Sequence, residues 1–166
     1  RATKRVGAWC TSFRRQSNVD GKYITPVVSI VCNFSAPTAD APALLNADEV
    51  GTLFHEFGHG LHNLLSNVHY RGVAATQVKR DFVELPSQIM EHWAFEPEVL
   101  KVYAKHYKTG EVIPAQLIEK LDKSGKFNQG FTTVEYVAAA TLDLDYYSQK
   151  DFSNLDINEF EKQSMA

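Results

Sequence analysis

Within the stretch Gly51 to Asn67, GTLFHEFGHGLHNLLSN, stand His55, Glu56 and His59 in the order His-Glu-x-x-His. Positions four apart on a helix lie one turn apart and about 40° round its axis, so both imidazoles can reach one metal ion while Glu56 sits beside it. Neutral imidazoles are ligands for zinc, and a neighbouring carboxylate can take a proton from water. The triplet turns up by chance in roughly one chain of this make-up in seventy. A third ligand is therefore needed before the spacing means a site.

A helix must present these groups. Asp48 and Glu49 put negative charge in its first turn, with Asn46 or Asp48 as the cap. Val50, Leu53, Phe54, Phe57, Leu61, Leu64, Leu65 and Val68 recur at three- and four-residue intervals, which predicts a helix over 46–68 with one buried stripe. Gly58 and Gly60 each cost about 1 kcal/mol of helix propensity against Ala, so a neighbouring backbone or a substrate is expected to approach closely there. For Gly58 the plainer reading is tight helix packing. His62 lies about 10 Å along the axis from His55, too far for the two to share one tetrahedral ion with His59. It is left to orient a ligand, face a substrate or pack.

The missing ligand is expected in a second segment, VAATQVKRDFVELPSQIMEHWAF from Val73 to Phe95. Phe82, Val83, Leu85, Ile89, Met90, Trp93 and Ala94 give a helical face, interrupted by Pro86. Proline is tolerated in a first turn but costs about 3 kcal/mol in a helix interior, so the helix, about 81–95, either begins between Asp81 and Glu84 or is kinked. Glu84, Gln88 and Glu91 project from one side of it. A carboxylate from this helix would complete a two-His, one-Glu set with room for water, an arrangement used by catalytic zinc.

The remaining elements frame the two helices. Val6 to Phe13 and Pro26 to Phe34 read as strands of a small sheet within residues 1–34, one edge of which could take up a substrate backbone by strand addition. Ser35 to Leu45 reads as a loop. Residues 97–166 read as helical support: Pro97 to His106, Pro114 to Lys123, about Phe127 to Gln149 after a break at Ser124-Gly125, and Ile157 to Met165 behind Asp156 as cap. Phe127, Phe131, Val134, Val137, Ala138, Leu142 and Tyr146 are expected to pack. Cys10 and Cys32 are too few for a disulfide framework and are expected as buried thiols.

Composition excludes several roles. With 44% hydrophobic residues and a formal charge of −3 spread along 166 residues, the chain lacks the basic surface that nucleic acid requires. No apolar run approaches the roughly 18 residues of a membrane span. A signal-peptide core is absent from a chain that begins at Arg1, so a cytoplasmic location is expected, with export left open.

The residues GTLFHEFGHGLH followed by RDFVELPSQIMEHW closely resemble the thimet oligopeptidase family of zinc peptidases, which also includes oligopeptidase A and bacterial peptidyl-dipeptidase. VGAWCTSF and VVSIVCNF resemble that family's upstream segments. A metzincin is excluded, because His62 and Leu65 stand where its glycine and last histidine belong. The resemblance implies one Zn2+ held by His55, His59 and Glu84, with Glu56 as the catalytic carboxylate; Gln88 and Glu91 are read from their placement as orienting a ligating imidazole or else as solvated or packed, beside His62. It implies a mainly α fold with a small β-sheet near the amino terminus, the zincin-like, metal-bearing section of a larger helical peptidase domain. The expected partners are short peptides and the rest of that domain, whose glycine- and tyrosine-rich substrate loop lies beyond this chain. KFNQGFTTVEYVAAATLDLDYY resembles the peptidyl-dipeptidase branch, which implies release of carboxyl-terminal dipeptides; an endo-oligopeptidase and a zinc-binding but inactive fragment remain as alternatives.

Overall fold

Asn46 starts the central helix. In a computed structural model describing residues 5–165, its side chain accepts the Glu49 amide at 2.9 Å while Glu49 Oε2 accepts the Asn46 amide at 3.0 Å. This closed capping box makes Asn46, rather than Asp48, the cap of α1, Ala47–Leu64. The other Glu49 oxygen accepts the amide and hydroxyl of Ser35 at 2.7 and 2.8 Å, which ties the incoming loop to the first turn. The helix stops short of Val68. Leu65 closes it by donating to the Leu61 carbonyl, and the Val68 amide is already turned toward the Gln16 side chain at 2.8 Å.

The predicted strands are present in shortened form. β1, Trp9–Arg14, and β2, Val27–Val31, pair antiparallel, with Trp9 opposite Val31 and a bulge between Ser12 and Arg14. Asp20 and Gly21, at φ 56° and 69°, turn the chain between them. The sheet is fastened to α1 beneath the motif: Ser12 Oγ donates to Asn63 Oδ1 at 2.5 Å, and buried Asn63 donates to the His59 carbonyl at 2.8 Å. Cys10 and Cys32 are half-exposed rather than buried, because a two-stranded sheet covers little of either side chain, and they form no disulfide. Burial, then the charge of Glu56, pushes the Cys10 thiol up.

Pro86 lies in the first turn of α2, Leu85–Ala94, so the helix begins here and is not kinked. A 3-10 turn over Arg80–Phe82 precedes it. α1 and α2 touch backbone to backbone at Gly58, where a Cβ would stand 2.6 Å from both the Pro86 carbonyl oxygen and the Ser87 Cα. At Gly60 the obstacle is only the Cδ1 of Ile30, at 2.9 Å. The methyl group of Gly58→Ala must therefore push two backbones apart, while that of Gly60→Ala can turn a flexible side-chain end. Gly58→Ala is expected to destabilise the chain by about 1–3 kcal/mol despite the gain in helix propensity. Gly60→Ala is expected near neutral. Urea unfolding of the two variants checks this, and a gain in stability for Gly58→Ala would mean that the two backbones are not in contact.

α3, Pro97–Tyr103, is shorter than the predicted Pro97 to His106. Hydrogen bonds from His106 to the Glu111 carbonyl and from Ile113 to the Ala104 carbonyl, both 2.8 Å, draw the chain into a narrow turn with Gly110 at φ 74°. Leu100 is buried, and Tyr103 donates to the Ala94 carbonyl at 2.5 Å, which binds α3 to the end of α2.

The described residues divide into two compact units at Ile113 and Pro114. The second contains α4, Ala115–Lys126, α5, Gln129–Ser148, and α6, Ile157–Ser164. Ser124-Gly125 lies inside α4 rather than ending it. One glycine costs about 1 kcal/mol in a helix, whereas Phe127 leaves it in extended backbone and Asn128, left-handed at φ 56°, sets off the next helix. Asp156 caps α6 by accepting the amides of Asn158 and Glu159 at 3.0 and 3.1 Å. Tyr146 packs on Phe160, with ring centroids 4.7 Å apart. Contrary to expectation, Phe127, just before α5, and Phe131, Val134 and Val137 on it stand exposed, and α5 has no buried residue. Their apolar surface exceeds what one short neighbouring helix can cover. Among the described residues, no helix is long and apolar enough to cross a membrane.

Candidate metal centre

The helical spacing in α1 and the turn into α2 bring three groups to one point. His55 Nε2 lies 3.2 Å, and His59 Nε2 3.1 Å, from the same oxygen of Glu84, Oε2. The three candidate ligand atoms all lie within 4.8 Å of one another. Zinc bonds of about 2.0–2.1 Å at tetrahedral angles require ligand atoms about 3.3 Å apart, so these separations fit a zinc ion. The fit extends to the donor types, two imidazole nitrogens from α1 and a carboxylate from the start of α2.

The neighbours of these groups hold them in place. Glu91 Oε1 meets His55 Nδ1 at 2.5 Å, which fixes that ring and leaves Nε2 turned toward Glu84. The Gln88 side chain is exposed and makes no hydrogen bond among the described residues, so of the two candidates on α2 the structure brings in Glu91. Ser87, fully buried, donates to Glu84 Oε2 at 2.7 Å and lies 3.0 Å from the Glu84 carbonyl oxygen. That hydrogen bond, joined by the two imidazoles, holds the Glu84 carboxyl below its ordinary pKa.

Glu56 is 5% exposed, and its Oε2 has no hydrogen-bond partner among the described residues. Burial raises its pKa, opposed by His55 and His59 and aided by Glu84. A buried carboxylate oxygen with an open acceptor position, on the same helix turn as two candidate ligand imidazoles, is suited to receive a proton. Glu56 also lines a cleft of about 470 Å³ with Ala8, Gly51, Thr52, His55 and Glu91.

His62 is not brought to this point. It is half-buried, its ring packs edge-on against Phe82 at 6.2 Å, and it lines a separate apolar cleft with Gly58, Leu61, Leu65, Pro86 and Ile89. Burial, then the charge of His59, lowers its pKa. Arg71, Lys79 and Arg80, the basic residues nearest the motif in sequence, are exposed. Sequence reasoning assigned no role to Ser87. The available signal was a hydroxyl three residues after the ligand candidate, a spacing that returns a side chain to the start of its own helix.

Comparison with known proteins places these residues in context. The model of Peptidase family M3 matches residues 1–165. The dipeptidyl carboxypeptidase of Salmonella typhimurium is 42% identical over 167 aligned positions, which cover 100% of this chain and 24% of that protein. Oligopeptidase A of Escherichia coli is 47% identical over 125 positions, 73% of this chain and 18% of that protein. The mitochondrial intermediate peptidase of Saccharomyces cerevisiae is 40% identical over 143 positions, 84% of this chain and 18% of that protein. The chain thus spans about a quarter or less of the length of these relatives.

Proposed function

The chain belongs to peptidase family M3, and from that premise we propose that it is the metal-bearing section of a zinc peptidase that hydrolyses short peptides. The observation that carries this reading is the convergence of His55 Nε2, His59 Nε2 and Glu84 Oε2, with Glu56 buried on the same helix turn. His55, His59 and Glu84 hold one zinc ion, and Glu91 keeps the His55 ring aimed at it. When bound, the ion supplies Lewis acidity that activates water and polarises the peptide carbonyl. Glu56 accepts the proton of the attacking water and passes it to the leaving amine, so no covalent link to the protein forms.

Release of carboxyl-terminal dipeptides is the finer reading. Similarity to the dipeptidyl carboxypeptidase runs the full length of this chain, including α5, whereas that to oligopeptidase A covers 73% of it. Such selectivity requires a group that reads the substrate's terminal carboxylate, and among the described residues no lysine or arginine lines the cleft beside Glu56. That reader, like the cover for the exposed face of α5, belongs to the remainder of a family-length domain. A longer polypeptide carrying this section is therefore expected to cut a free-acid peptide into a dipeptide and a shortened chain while sparing its amidated twin. Equal cleavage of both would favour the endo-oligopeptidase alternative. The 166 residues alone are expected to take up zinc yet hydrolyse either peptide poorly; efficient cleavage by them would overturn the need for a second wall.

A further inference from the structure

We infer that Ser87 is a positioning residue for the metal centre: its hydroxyl holds the one oxygen of Glu84 that faces both imidazoles. The inference rests on the zinc reading above and goes beyond it. Glu84 is joined to its carboxylate by three rotatable bonds, and half of its side chain is exposed, so solvent competes for it. Ser87 is placed differently. It is fully buried, and its Cα lies against α1 where Gly58 leaves room for no side chain, so the hydroxyl is anchored to the helix that carries the imidazoles.

From that anchor Ser87 Oγ donates to Glu84 Oε2 at 2.7 Å, while His55 Nε2 and His59 Nε2 lie 3.2 and 3.1 Å from the same atom. A carboxylate oxygen has two acceptor directions. Ser87 occupies one of them and leaves the other for the metal, which selects a single-oxygen contact and sets its orientation before the ion arrives. Gly58, Ser87 and Glu84 thus form one relay from the α1 backbone to the third ligand.

A double-mutant cycle on zinc affinity, measured by chelator competition with the ion alone, tests this. Ser87→Ala is expected to weaken zinc binding about 10–100-fold in the chain. On a Glu84→Ala background the same change is expected to have almost no effect, within about twofold, because the group it orients is gone. Equal weakening on both backgrounds would show that Ser87 only supports the helix, and would overturn the inference, as would unchanged affinity in the single variant. If Ser87→Ala fails to fold, Ser87→Gly removes the hydroxyl without adding a ligand or bulk: weakened binding that vanishes on the Glu84→Ala background supports the positioning role, and undiminished binding overturns it. A chain that takes up no zinc before any substitution would instead overturn the metal reading itself.

Discussion

Glu84→Ala is expected to lower zinc affinity by at least about 100-fold while leaving the fold in place. The substitution leaves His55 and His59 at their helical spacing, but two imidazoles on one rigid helix offer an ion only two of its three protein contacts. The remaining side chains of α2 do not replace the third: Glu91 is committed to His55 Nδ1, and Gln88 points to solvent. The main chain loses little. The Glu84 carbonyl still accepts the Gln88 amide at 2.9 Å, so the start of α2 survives the loss of the carboxylate. Zinc affinity by competition with a chelator, alongside circular dichroism of the metal-free variant, separates loss of the ligand from loss of the helix. Undiminished affinity in a folded Glu84→Ala chain would remove Glu84 from the metal site.

The contrast between Glu84 and Glu91 shows where sequence reading succeeds. Helical period alone places Glu84, Gln88 and Glu91 on one side of α2, and that much was legible because a period is a local property. Which of them faces the imidazoles depends on how α2 crosses α1, and the crossing is set by the missing side chain of Gly58 against Pro86 and Ser87. The expectation of a close approach was legible from the propensity penalty of that glycine. Its partner was not, since no local pattern links residues so far apart. Ser87 went unnoticed for the same reason, because its importance lies in being buried beneath Glu84. The break between α4 and α5 was misplaced by giving Gly125 more weight than the left-handed tolerance of Asn128. The exposed face of α5 was read as packing because its residue types say so, although within its unit Phe131, Val134 and Val137 find no cover.

Glu56→Gln is expected to lower turnover by roughly 10² or more in a longer polypeptide carrying this section, with zinc content unchanged. Glutamine keeps the size of the side chain and removes only its capacity to accept a proton, so the packing around a residue that is 5% exposed is preserved. Burial already disfavours the charge of Glu56, so neutralising it does not work against the fold. Nor does the change remove any of the three groups proposed to hold the ion: the contacts of His55 and His59 with Glu84 Oε2 do not involve Glu56. A base and a ligand are therefore separable in one experiment, which measures turnover and bound zinc on the same sample. Retained zinc with turnover reduced by two orders of magnitude or more assigns the proton-accepting role to Glu56. Turnover near that of the unsubstituted enzyme would leave the buried, unpartnered Oε2 without a chemical purpose and move the base to another residue, and loss of zinc would make Glu56 part of the metal site.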